Sequence, residues 1–215
     1  MLSAFVTGLA TGLGLIVAIG GWVLLEACQQ LKQWQEQFPR ESPLCMNVNI
    51  SKRQLTQTDL VKTLQNVLRT TRIEPHTLKL EITETAIMDN LNEFNPVLQH
   101  LRACGIYLCI DDFGTGHSSL SCLHEFSVDV LKIDRAFLLN MKENRAYAAV
   151  THAIVTLAQN LAMDVVAEGV ETPEQVAQLQ TLEADYAQGY YFAKPLRPDD
   201  AAAFLQNQRP FAKSA

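Results

Sequence analysis

Ile106-Tyr107-Leu108-Cys109-Ile110-Asp111-Asp112-Phe113-Gly114-Thr115-Gly116 decides how this chain is read. An apolar run of this length, bounded by turn formers, reads as a buried strand. The two acids then stand at its C-terminal end. Gly114, Thr115 and Gly116 follow as a turn whose glycines let backbone approach a ligand closely. Adjacent carboxylates repel, and they stay ionised together most easily when a cation neutralises them. Alone, an Asp-Asp pair is more often a solvated strand-end turn. The recurrence of the same arrangement along the chain argues for more.

Further β-rich runs lie at 44–50, 78–83, 128–133, 165–167 and 190–192, and helical patterns over roughly 54–71, 90–104, 145–162, 173–183 and 198–207 separate most of them. The segment between the third and fourth runs has room for one small helix. Strands alternating with helices imply βα units and a parallel sheet. With no Rossmann glycine fingerprint, these units favour a (β/α) barrel over a doubly wound sheet. The strand ends are polar throughout: Asn49 closes the first run, Glu81 and Glu84 mark the second, Asp111 and Asp112 end the third. Lys132 lies in the fourth, Glu168 and Glu171 follow the fifth, and Gln188 opens the sixth region. A barrel gathers the C-terminal ends of its strands on one face, and that face carries the active site.

Asn49, Glu81, Asp111, Asp112 and Glu168 are hard oxygen donors, which suit Mg²⁺ or Mn²⁺ rather than zinc or copper. Two such ions about 3.5–4 Å apart, sharing a carboxylate, catalyse phosphoester cleavage. Asp111 and Asp112 suit this use, one bridging and the other binding the second ion. Lys132 can orient an attacking water or neutralise charge growing on phosphoryl oxygens. The residues thus point to a divalent-metal phosphoester hydrolase and leave the substrate open.

The 215 residues suit a single domain, and 48% apolar with 19% charged residues supply a sizeable core. A net charge of −6 without a basic run argues against general nucleic-acid binding. The cysteines (Cys28, Cys45, Cys104, Cys109, Cys122) have no Cys-x-x-Cys spacing, and most read as reduced core residues of a cytoplasmic chain. No charge precedes Glu26, so residues 1–25 pass a crude length test for a membrane span. They lack a basic flank, however, and positions 24, 27, 28, 31 and 34 form one apolar helical face. A buried amphipathic helix is the reading preferred over membrane association.

Met46-Asn47-Val48-Asn49-Ile50-Ser51, Leu80-Glu81-Ile82-Thr83-Glu84-Thr85, the stretch from Asp111 to Leu120 (DDFGTGHSSL), Val130-Leu131-Lys132-Ile133-Asp134, AEGVE from Ala167 to Glu171, and Gln188-Gly189-Tyr190 resemble the ordered signatures of the EAL domain. That family comprises bacterial phosphodiesterases that open cyclic di-GMP to linear pGpG. The resemblance implies a TIM-like (β/α) barrel forming a single domain over 1–215, with a divergent apolar segment at 1–13 and a family-like core at 14–207. It implies a two-metal Mg²⁺ or Mn²⁺ site in which Asn49, Glu81 and Asp111 hold the first ion and Asp111 bridges to a second shared with Asp112. Glu168 would act near the water as ligand or base, Lys132 would contact water or phosphate, and Gln188 and Glu171 would belong to the wider site. Glu84 would fasten the loop containing Gly114, Thr115 and Gly116, which the family uses to couple dimerisation to catalysis. His117 stands where the family usually has Tyr or Phe.

The Glu-Ala-Leu motif itself is absent. Relative to the family, the first two strands and one glutamate ligand are then expected to be missing. The main reading is a cyclic di-GMP phosphodiesterase acting alone or as a homodimer. The alternatives are an impaired cyclic di-GMP-binding or interaction module, or the C-terminal fragment of a longer active enzyme. The parent protein would then carry a GGDEF or sensory domain.

Overall fold

In the computed structural model of the chain, the described residues are 15–88, 90–114, 128–141 and 144–207. They fall into two compact units that divide after Leu108.

The first unit begins with α1 (Ile16–Gln37), followed by β1 (Met46–Asn49), α2 (Lys52–Leu55), α3 (Leu60–Thr71), β2 (Leu78–Thr83), α4 (Glu84–Met88) and α5 (Leu91–Ala103). The apolar stripe predicted on the first helix is its packing face. Leu24, Cys28 and Leu31 are buried, Ala27 and Trp34 half-buried, and α1 packs on α3, α2 and β1. Each fully buried leucine on such a stripe contributes about 1.5–3 kcal/mol. The helical pattern expected over 54–71 is two helices. Ser51 caps α2 in a reciprocal box with Gln54. The Thr56 hydroxyl then donates to the Arg53 carbonyl (2.9 Å), a side-chain bond that competes with helix continuation. β1 and β2 are parallel, with Asn49 beside Glu81 in register. β2 has Leu78, Leu80 and Ile82 on one face and Lys79, Glu81 and Thr83 on the other. Among the described residues no helix is long and apolar enough to cross a membrane.

Among the four described cysteines the expected core placement holds for two. Cys28 and Cys109 are buried, but Cys104 is half-buried and Cys45 exposed. β1 starts at Met46, which leaves Cys45 ahead of the ladder. Cys122 lies outside the described residues. Burial pushes the Cys28 thiol from 9.0 up to about 11, which lowers its thiolate fraction about 100-fold near neutral pH. A thiol reagent at pH 8 should therefore modify Cys45 and spare Cys28. Peptide mapping after brief alkylation would read this, and equal labelling of the two would contradict it.

The second unit contains β3 (Tyr107–Phe113, its first two residues lying before the division), β4 (Val130–Ile133), α6 (Arg135–Met141), α7 (Arg145–Asn160), β5 (Asp164–Ala167), α8 (Pro173–Thr181), β6 (Tyr186–Ala187) and α9 (Pro198–Asn207). Strands β3, β4, β5 and β6 pair in that order, all parallel. α7 packs on α6 and β5. The sixth strand is not at 190–192 as expected but at Tyr186–Ala187, so Gln188 follows the strand rather than opening it. Gly189 is the reason. A side chain there would overlap the backbone of Val170, and the chain turns at that point, with Phe192 N–H donating to the Gly189 carbonyl (3.1 Å). Tyr190 and Tyr191 are consequently exposed.

Candidate metal centre

On one face of the second unit's sheet, Cys109, Val130 and Val166 form a buried apolar cluster. Two residues further along each strand, and so on the same face, stand Asp111, Lys132 and Glu168. The apolar trio is therefore a floor beneath a charged layer, in the manner of barrel interiors built in layers. The Lys132 ammonium lies 3.0 Å from Asp111 Oδ1 and 2.7 Å from Glu168 Oε1. Lys132 is 3% exposed. Burying an ammonium is costly unless carboxylates pair with it, and here two do. Glu168 follows β5 directly, and its N–H donates to the Ile133 carbonyl (3.1 Å), which extends the ladder by one step and orients the residue.

Asp112 should point to the opposite face from Asp111 in a regular strand. It does not, because β3 carries a bulge. The register with β4 shifts between Ile110 and Phe113, and Asp112 takes a left-handed conformation (φ 55°). Aspartate visits that region more readily than most residues. Bulges re-aim side chains beside functional sites. As a result Asp111, Asp112 and Glu168 each offer an oxygen, all within 4.8 Å of one another. Gly114 (φ 94°) ends the strand with its backbone against the Phe137 ring, where a Cβ would overlap the ring.

The donor set fits a hard divalent cation. Three carboxylates outnumber the Lys132 ammonium, and they converge on one point. Asp111 Oδ1 is buried without a hydrogen-bond partner among the described residues, its contact with the Lys132 ammonium at 3.0 Å being an ion pair. A metal ion would satisfy that lone pair.

The other expected site residues are placed as follows. In the first unit, Asn49 ends β1, and Ile50 N–H donates to the Glu81 carbonyl (2.8 Å). The Glu81 carboxylate accepts from Asn47 Nδ2 (2.7 Å) and is buried, as is Glu84 at the start of α4. In the second unit, Glu171 pairs with Arg135 (2.8 Å). Gln188 N–H donates to the Ala167 carbonyl (2.9 Å), which puts Gln188 at the β6 end beside β5. Thr115, Gly116 and His117 lie outside the described residues. The sequence reading missed Asn47 and Arg135. Asn47 is two residues before Asn49 and so on its face. Arg135 is three residues beyond Lys132.

With this geometry in view, likeness to known proteins is informative. The EAL domain model matches residues 3–195, eleven residues further towards the N-terminus than the motifs alone indicated. Signaling protein YkoW of Bacillus subtilis is 38% identical over 201 residues, 94% of this chain and 25% of that protein. Cyclic di-GMP phosphodiesterase NbdA of Pseudomonas aeruginosa is 37% identical over 94% of this chain and 26% of its own length. The chain thus spans about a quarter of these relatives. Among solved structures, the PaMucR phosphodiesterase in complex with c-di-GMP superposes with a TM-score of 0.85 at 38% identity, covering 90% of this chain and 78% of that one. The EAL domain of Mycobacterium smegmatis DcpA gives 0.82 at 30%, covering 89% and 85%. The fold class is the α/β, TIM-like barrel type of these domains, and the chain belongs to the EAL domain family.

Proposed function

We propose that this chain is a divalent-metal phosphodiesterase that hydrolyses cyclic di-GMP to linear pGpG. The observation that carries the reading is the convergence of Asp111, Asp112 and Glu168 beside a buried lysine. Its support for this substrate comes from relatives named as cyclic di-GMP phosphodiesterases and from a similar structure described as a c-di-GMP complex.

Asp111, Asp112 and Glu168 would hold Mg²⁺ or Mn²⁺, and on the strength of their motifs Asn49 and Glu81 would contribute to the first of two ions. When bound, such ions supply an acidified water and neutralise charge on phosphoryl oxygens. The chain's own residues do the rest. The apolar floor of Cys109, Val130 and Val166 excludes water from beneath the charged layer, which strengthens every electrostatic interaction above it. The Lys132 ammonium is positioned to neutralise negative charge on the phosphoryl group in the transition state. Glu168, fixed by its backbone bond and its lysine, is positioned to accept a proton from the attacking water. The proposed setting is a homodimer within a longer signalling protein.

The test is turnover. The purified chain is incubated with cyclic di-GMP and Mg²⁺ or Mn²⁺, and pGpG is followed by chromatography. Metal-dependent pGpG is the expected outcome. A folded chain that binds the dinucleotide without cleaving it would overturn the enzymatic reading.

A further inference from the structure

Glu168 opens a turn, Glu168-Gly169-Val170-Glu171, whose backbone is held on several sides. Glu168 N–H donates to the Ile133 carbonyl (3.1 Å). Val170 is fully buried, its N–H donating to the Gln188 carbonyl (3.0 Å) and its carbonyl accepting from Tyr191 N–H (3.0 Å). At the far end, Glu171 N–H and Thr172 N–H both donate to Gln175 Oε1 (2.7 and 3.0 Å), inside the capping box that starts α8. Gly169 is the pivot, with φ of 73°.

One side chain lies over that pivot. The aliphatic stem of Arg135 packs so closely on Gly169 that an added Cβ would overlap its Cβ, Cγ and Cδ atoms. Its guanidinium continues to Glu171 (Nη2 to Oε1, 2.8 Å). Arg135 is the first residue of α6, three positions after Lys132, so β4 carries the lysine that pairs with Glu168 and the helix that follows it carries the arginine that covers the turn behind it. The ion pair is half-exposed, at 54% and 38% for the two side chains, and such pairs contribute little by themselves. Arginine stems, by contrast, cover surface through packing as well as charge.

We infer that Arg135 is a positioning residue: its stem clamps the left-handed Gly169 and its guanidinium tethers Glu171, so that Glu168 is held against Lys132 and the other two carboxylates. The metal-binding consequence rests on the function proposed above, and the backbone consequence does not. Partners that orient a ligand from behind are worth about 10–100-fold in metal affinity when removed.

The experiment compares Arg135→Ala and Arg135→Met with the unaltered chain in two readouts. The first is amide hydrogen exchange without metal. Arg135→Ala should speed exchange at Val170 and Glu171 about tenfold and leave β4 unchanged, a local opening rather than global unfolding. Arg135→Met, which keeps the stem and loses the charge, should restore most of the protection. The second is Mn²⁺ binding by calorimetry, where Arg135→Ala should weaken affinity about tenfold. Exchange within twofold of the parent in Arg135→Ala would overturn the inference, as would Arg135→Met behaving like Arg135→Ala at Gly169's neighbours. If exchange changes as expected while the unaltered chain takes up no Mn²⁺, the clamp stands and the metal reading falls.

Discussion

Asp111→Asn is expected to lower turnover of cyclic di-GMP at least about 10³-fold, equivalent to about 4 kcal/mol of transition-state stabilisation, while leaving the metal-free chain folded. The substitution keeps the shape of the side chain and removes its charge. In the absence of metal, Asp111 is one of three converging carboxylates, with a buried oxygen that accepts no hydrogen bond among the described residues. Removing that charge relieves repulsion with Asp112 and Glu168 at the cost of one contact to Lys132. The metal-free variant should therefore melt within a few degrees of the parent. What should disappear is the stabilisation produced by metal, which for the parent is about 2.7 kcal/mol at a hundred times the dissociation constant. Melting curves with and without Mn²⁺ provide the check. A variant that keeps the full metal-induced shift would show that the ion binds elsewhere.

The second large effect is expected from Lys132→Met, and it falls on stability. Lys132 is the buried cation between Asp111 and Glu168, at 3.0 and 2.7 Å. Replacing it with an apolar chain of similar length removes the ammonium that both partly buried carboxylates share. Breaking a buried ion pair from one side typically costs about 3–5 kcal/mol. The denaturation midpoint of the metal-free variant should fall accordingly, and divalent metal should recover part of the loss because it binds only the folded state. A loss below about 1 kcal/mol would mean that the ammonium is not what holds the carboxylates together. The contrast between the two substitutions is the informative part: one removes an acid from an acid-rich cluster, the other removes the base that tolerates it.

Both expectations rest on a layering that follows from strand period. Cys109, Val130 and Val166 lie two residues before Asp111, Lys132 and Glu168 on neighbouring parallel strands. The period of two therefore puts an apolar layer directly beneath a charged one. The same arithmetic puts Asn47 with Asn49 and lets Asn47 reach Glu81.

The element pattern was legible in the sequence where periodicity is strong. β2 at 78–83 and α9 at 198–207 have the bounds that the sequence predicts. The α1 stripe at Leu24, Cys28 and Leu31 is buried as its spacing requires. Donor chemistry was legible too, because hard oxygen donors at strand ends have few uses and the EAL-like motifs occur in order. Three features were not readable. The bulge that turns Asp112 to the side of Asp111 depends on register with β4, a relation between segments far apart in sequence. The end of β6 at Ala187 depends on Gly189 meeting the Val170 backbone. The role of Arg135 over Gly169 depends on where α6 starts relative to the turn after β5. Local sequence thus determined which segments become strands and helices and which residue types stand at their ends, since those follow from period and propensity within a few residues. Only the tertiary structure decided which side chains share a point in space, since that is set by register, by left-handed backbone at Asp112 and Gly169, and by close backbone approach at Gly189.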